Sequence, residues 1–304
     1  MRLERELQAA GHRQIRWLHT TPEETGASQA RLAVGQGASH VVAVGGDGTV
    51  RAVAAGLADT GTTLGIVPAG TANLAARNLN LPYRSLRACI QRAAHGRPSP
   101  LDLAWVRTEP EAVPDTSHDW ARPTLGDEHA CLMAAGVGFD ADLVASTNPT
   151  LKRTIGWGAY VAAAFQNLHG PRMDMVLTLT TTDGEKFIER FQARELLVAN
   201  GGKLTAGIEL LPDAQLDDGL LDVAAIDTVA GMVGWSSLAR QILLPTPWNQ
   251  VSPGWGTGRL QSWRATQMSV RLSQPSLVDI DGELLPPTRF LSVRVQPRAV
   301  QVLV

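Results

Sequence analysis

Residues 40–57, HVVAVGGDGTVRAVAAGL, decide the fold. His40–Val44 make a short β-branched run, three glycines and an aspartate follow, and from Val50 the apolar positions recur with helical spacing. The stretch reads as a strand, a tight glycine turn and a helix. Such a turn lets another group come close to the backbone, and it offers N–H groups and a positive helix end to an anion. Asp47 has the same sign of charge as phosphate, so in a phosphate site its work is to hold Mg2+, directly or through water. The competing reading makes Asp47 the N-cap of an ordinary strand-to-helix turn. No Gly-Lys-Ser/Thr follows, so this is not a Walker loop.

A second junction of the same build occupies residues 64–82, LGIVPAGTANLAARNLNLP. A strand ends at Pro68, Gly70 turns the chain, and Thr71 sits where an N-cap or a phosphate-binding hydroxyl belongs. Asn73 and Arg77 lie four apart, on one helical face. Two such junctions this close converge at the carboxyl edge of one parallel sheet, where α/β folds bind ligands.

The neighbouring segments extend the alternation. Residues 13–20 (RQIRWLHT) read as a strand, 24–38 as a helix, 84–96 as a helix and 101–107 as a strand. Parallel strands with helices on both faces are expected. The texture changes at 108–129, TEPEAVPDTSHDWARPTLGDEH, which reads as a solvated linker, and His118 and His129 within it match no metal-ligand spacing. Strand patterns dominate afterwards: a hairpin over 174–191 turning at Asp183-Gly184, then 194–200, 219–226, 260–265, 268–273, 276–280, 290–295 and 300–304. Residues 156–168 and 229–243 read as helices between them. An α/β domain (1–107), a linker (108–128) and a β-rich domain (129–304) result, with the last strands free to return to the first domain.

Of 304 residues, 27 are basic and 29 acidic, so no global field draws the chain to nucleic acid. Cys89 and Cys131 both lie in apolar runs, the pattern of buried free thiols in a reducing compartment. The N-terminus lacks the apolar centre of a signal peptide, and no apolar run is long enough for a membrane span; a cytoplasmic protein is expected. Residues 131–143, CLMAAGVGFDADL, contain Gly136-x-Gly138-x-x-Ala141, which imitates a dinucleotide fingerprint. The second strand ending in an acid that this motif needs does not follow, so NAD binding here is rejected.

The combination of GGDGTV at 45–50 and GIVPAGTANLAARNLNLP at 65–82 resembles the diacylglycerol kinase catalytic domain family, which includes sphingosine, ceramide and bacterial lipid kinases. The resemblance continues through AGVGFDA at 135–141, NGGKLTAGIELLPDAQLDDGLLDV at 200–223 and VDIDGELL at 278–285, and so covers nearly the whole chain. GGDGT alone is shared with NAD kinases; the later blocks are more specific to lipid kinases.

The resemblance implies a three-layer α/β nucleotide-binding domain with a parallel sheet, a β-sandwich-like domain, and an active site in the cleft between them. It implies that Gly45, Gly46, Gly48 and Thr49 cradle ATP phosphates and that Asp47 organises the catalytic Mg2+. Gly70, Thr71 and Asn73 would meet the nucleotide from the second loop. Glu283 would be the general base toward a lipid hydroxyl, supported by Asp281. A structural Mg2+ would be held by Asp218 and the backbone carbonyls of Gln215 and Leu220. Local sequence does not distinguish Asp281-Gly282-Glu283 from Asp183-Gly184-Glu185, since both suit a hairpin turn, and Asp217-Asp218-Gly219 equally suits a plain turn.

Two departures from the family pattern stand out. The sequence opens without the family's first strand and Asn-Pro-x-x-Gly loop, and residues 1–20 look like the helix after that loop; either the true start lies upstream, or the chain is expected to lack part of its ATP site and a strand, leaving a sheet edge or gap. Leu74 stands where many bacterial members have an aspartate, with Arg77 retained and Asp102 offered as a replacement in the Asp47 network. Trp248, Trp255 and Trp263, in a Pro- and Gly-rich stretch, read either as packing residues or as an interfacial loop. The expectation is an ATP-dependent lipid kinase acting on diacylglycerol or a similar lipid, peripheral to the inner face of the membrane, with a homodimer through the sheet edge as a further expectation. NAD kinase and a nucleotide- or lipid-binding pseudokinase are the alternatives.

Overall fold

The computed structural model describes residues 2–21, 23–111, 120–138, 172–202, 211, 213–228 and 258–304. Strands β1 (His40–Gly45) and β2 (Thr63–Pro68) run parallel, with Gly45 level with Pro68. Successive residues of β2 point to opposite faces. Leu64 and Ile66 enter a core with helices α2 (Ala27–Gly35) and α3 (Asp47–Leu57). Val67 faces the other way, onto Leu3 and Leu7 of α1 (Arg2–Ala9) and Ile90, Ala93 and Ala94 of α5 (Leu86–His95). The strand period thus produces three layers. Glycines let them close: a Cβ on Gly56 of α3 would lie 2.6 Å from the Ala27 carbonyl of α2, and one on Gly65 of β2 would lie 2.7 Å from the Ala93 carbonyl of α5.

The parallel portion of the sheet is smaller than the alternation predicts. The slot on the far side of β2 is filled by the end of the chain, where Gln301 and Val302 of β12 (Glu283–Leu303) pair in parallel with Thr63 and Leu64. Strand β3 (Pro98–Pro110) cannot take that slot and instead lies antiparallel along β12, with β4 (His129–Cys131) beyond it. Among the described residues β1 pairs with β2 alone.

The same sheet continues into the second core. β12 pairs with β11 (Gln267–Ile280), and β11 pairs with both β5 (Ala134–Gly138) and β6 (Met173–Thr180). β7 (Lys186–Ala193) completes the expected hairpin with β6, Gly184 taking φ 81° at its turn. β8 (Glu195–Ala199), β9 (Leu221–Thr228) and β10 (Gly258–Ala265) follow β5 in antiparallel order. Leu177, Leu196, Val223, Val270, Val278 and Leu291 fill the space between. Trp263 packs against this core and stacks on Phe191 at 5.5 Å. The two separate strand readings at 268–273 and 276–280 are one strand, β11, bridged by register shifts; those at 290–295 and 300–304 are likewise joined in β12.

Two expectations fail here. Residues 13–20 form no ladder; side chains tether them instead, Trp17 Nε1 donating to Glu4 at 2.8 Å and Gln29 donating to the His19 carbonyl at 3.1 Å. His129 does not sit in a solvated loop but on β4, 9% exposed. Gly136 and Gly138 are strand residues of β5. Cys89 and Cys131 are free and buried. Among the described residues no helix is long and apolar enough to cross a membrane. The helix readings at 156–168 and 229–243, and Trp248, Trp255 and His118, lie outside the described residues.

Candidate active site

Because Gly45 and Pro68 are level in adjacent parallel strands, the two glycine turns leave the sheet side by side, and the Ala69 N–H donates to the Gly45 carbonyl at 2.8 Å. The turn glycines do not use left-handed backbone: the positive-φ glycines include none of Gly45, Gly46, Gly48 and Gly70. At Gly45, Gly48 and Gly70 the reason for glycine is want of space. A Cβ on Gly45 would meet the Thr49 side chain at 2.7 Å, and one on Gly70 would lie 2.8 Å from the Gly46 Cα. A Cβ on Gly48 would run into Oε1 of Glu283. The first loop touches the second at 46 and 70, and the acid from the far end of the chain at 48.

Asp47 is not the cap of α3. Gly46 holds that position, and the Asp47 carboxylate reaches across to α4 (Leu74–Asn78), accepting from the Ala75 N–H at 3.3 Å. Burial pushes its pKa up, the amides of residues 73–75 oppose that shift, and the charge of Asp281 adds to it. Asn73 takes left-handed backbone (φ 49°) and closes the second turn on itself: its Oδ1 accepts from the Gly70 N–H at 3.0 Å and its Nδ2 donates to the Gly70 carbonyl at 2.9 Å. Asn73 therefore precedes the helix instead of sharing a face with Arg77. Arg77 donates to the Ala72 carbonyl at 2.8 Å and lies over the Tyr83 ring at 4.7 Å, which props the loop from behind. Thr71 is exposed on the turn.

Glu283 is delivered by a two-residue hairpin turn between β11 and β12. Asp281 (φ 50°) and Gly282 (φ 87°) are both left-handed, as a type I′ turn requires. The turn is pinned by the Asp281 carboxylate, which accepts from the N–H groups of Leu132 (2.8 Å), Met133 (2.9 Å) and Ala134 (3.1 Å). The Asp183-Gly184-Glu185 copy stays at the tip of the β6–β7 hairpin. One site residue was missed from sequence: Arg51, whose Nη2 donates to Oε2 of Glu283. The signal was a lone arginine among helix positions that are otherwise apolar and buried.

Asp102 does not join Asp47. Its two oxygens accept from the Gly219 N–H at 2.7 Å and the Arg298 N–H at 2.6 Å, so it ties the 217–219 turn to β12. The Asp218 carboxylate is engaged by protein groups. Its Oδ1 accepts from the Leu220 N–H at 3.0 Å and its Oδ2 is met by Arg264, which also reaches Asp222 at 3.2 Å. Among the described residues no three His, Cys, Asp or Glu side chains gather to hold a metal ion.

Comparison with known proteins matches residues 1–106 to the diacylglycerol kinase catalytic domain and residues 133–304 to the YegS C-terminal NAD kinase beta sandwich-like domain. The chain belongs to the YegS-like lipid kinase family. A "Probable lipid kinase YegS-like" of Pseudomonas putida is 30% identical over 271 residues, 88% of this chain and 76% of that protein. A YegS-like relative in Chromohalobacter salexigens is 33% identical over 66% of this chain, a match spanning 58% of that protein. A diacylglycerol kinase structure from Bacillus anthracis shares the fold, with a TM-score of 0.68 and 20% identity over 98% of this chain and 88% of that one. In the YegS-like family frame the two matched domains meet where Glu283 crosses to Gly48.

Proposed function

We propose that this protein transfers the γ-phosphoryl group of ATP to the hydroxyl of diacylglycerol or a similar lipid. The observation that carries the proposal is the Glu283 carboxylate seated against Gly48 of the first glycine turn. Backbone of residues 45–49 and 70–73 would cradle the phosphates, with Thr49 and Thr71 as neighbouring hydroxyls. Asp47 suits a divalent cation such as Mg2+, because its half-buried carboxylate already bears a burial penalty and the repulsion of Asp281 that a cation would relieve. When bound, such a cation neutralises charge on the β- and γ-phosphate oxygens. Glu283 would accept the lipid O–H proton as the oxygen bonds to phosphorus and the bond to ADP breaks.

The acceptor resides in a membrane, so the reading includes peripheral contact with a bilayer. The test incubates purified protein with labelled ATP, Mg2+ and either dioleoylglycerol micelles or NAD. Label in the lipid extract, lost in Glu283→Gln, supports the proposal. Label in NADP instead would move the protein to NAD phosphorylation, and ATP binding without transfer to any acceptor would leave a pseudokinase.

A further inference from the structure

Arg51 lies one helical turn beyond Asp47 on α3, so both side chains leave the helix on the same face. It is 6% exposed, and its sequence neighbours Val50, Ala52, Val53 and Ala54 are all buried. A guanidinium placed so deep is strongly destabilising unless its charge and donors are met. Both needs are met at the 281–283 turn: Nη1 donates to the Ile280 carbonyl at 2.8 Å, and Nη2 to Oε2 of Glu283. That leaves Oε1 as the oxygen that crowds Gly48. A planar fork can hold a carbonyl and a carboxylate at once in fixed directions, which a lysine ammonium cannot do in the same way.

We propose that Arg51 is a positioning residue for the acid: it grips Oε2 and the carbonyl at the base of the turn, so that Oε1 is held toward the glycine loop. The proposal rests on the reading of Glu283 as the general base. In phosphoryl transfer the protein contributes mostly placement, so an oxygen fixed in direction matters more than the strength of the base. The arrangement also explains why a charged residue stands among the buried, otherwise apolar positions 50–57 of α3.

A double-mutant cycle tests this with Arg51→Met, Arg51→Lys, Glu283→Gln and Arg51→Met/Glu283→Gln. Each is assayed for kcat and for KM of ATP with dioleoylglycerol micelles, and each is unfolded in urea. Arg51→Met is expected to lower kcat roughly 10–100-fold with KM for ATP nearly unchanged, and to add less than about 2-fold in the Glu283→Gln background. Arg51→Lys keeps the charge and the fold and recovers only part of the loss. Equal losses in both backgrounds, an effect on KM alone, or full recovery by lysine overturns the proposal. If wild-type protein transfers phosphate to no acceptor, the reaction reading fails by itself. The unfolding cycle still decides the contact: coupling between positions 51 and 283 supports it, and additivity overturns it.

Discussion

Oε1 of Glu283 occupies the space that any side chain on Gly48 would need. Gly48 is in the first turn of α3, where alanine favours the helix by about 0.5–1 kcal/mol. The obstructing atom belongs to the carboxylate that Arg51 grips, so displacing it loosens the ion pair of a buried arginine and outweighs that gain. Gly48→Ala is therefore expected to lower the thermal midpoint and also to lower transfer by roughly 10²-fold, since the carboxylate is displaced. Calorimetry and the lipid phosphorylation assay on one preparation check that both fall.

Gly70→Ala differs, because its Cβ would meet the Gly46 Cα, a backbone atom, at 2.8 Å. The two turns must separate. The expected result is a loss of about 1–3 kcal/mol in urea unfolding, as for other overpacked sites, together with weaker ATP binding by titration calorimetry.

Asp281 accepts three backbone amides, so Asp281→Ala leaves those donors unpaired and frees the turn that carries Glu283. The expected loss is about 2–4 kcal/mol by urea unfolding. Asp281→Asn, which keeps a single acceptor oxygen, should fall between.

Burial, reinforced by the charge of Arg51, lowers the His129 pKa from 6.5 to about 4, with Asp127 and the Arg122 carbonyl opposing. The unfolded chain then binds a proton at a pH where the folded chain does not. Stability contributed by neutral His129 is full above about 6.5 and declines as pH falls toward about 4. His129→Gln is expected to flatten that part of the stability–pH curve, measured by urea midpoints across the window.

Arg264, paired with Asp218 and Asp222, supplies the positive charge at the 217–219 turn. EDTA is accordingly expected to abolish transfer while leaving the thermal midpoint unmoved. A midpoint that falls on chelation would place a structural cation in the fold.

Much of the fold was legible because local rules agreed with it. Residues 40–57 and 64–82 show strand, turn and helix in their periodicity, and Asp281-Gly282 suits the turn it makes. What stayed hidden depended on distant partners. The glycines at 45, 48 and 70 suggested backbone freedom, yet they answer to space taken by Thr49, the Gly46 backbone and an acid more than two hundred residues away. Asp102 looked like a ligand for the Asp47 network, but its capacity is spent on amides of Gly219 and Arg298 that no local pattern announces. His129 looked solvated from its acidic neighbours, and only β3 reveals that its segment is a buried strand.

Strand β12 begins at Glu283 and, past its register shifts, reaches β2 at Gln301 and Val302. One ribbon thus spans from Glu283 to the sheet whose edge carries the two glycine loops. In the proposed reaction, the acid and the loops are therefore set relative to one another by a single strand, when the chain folds.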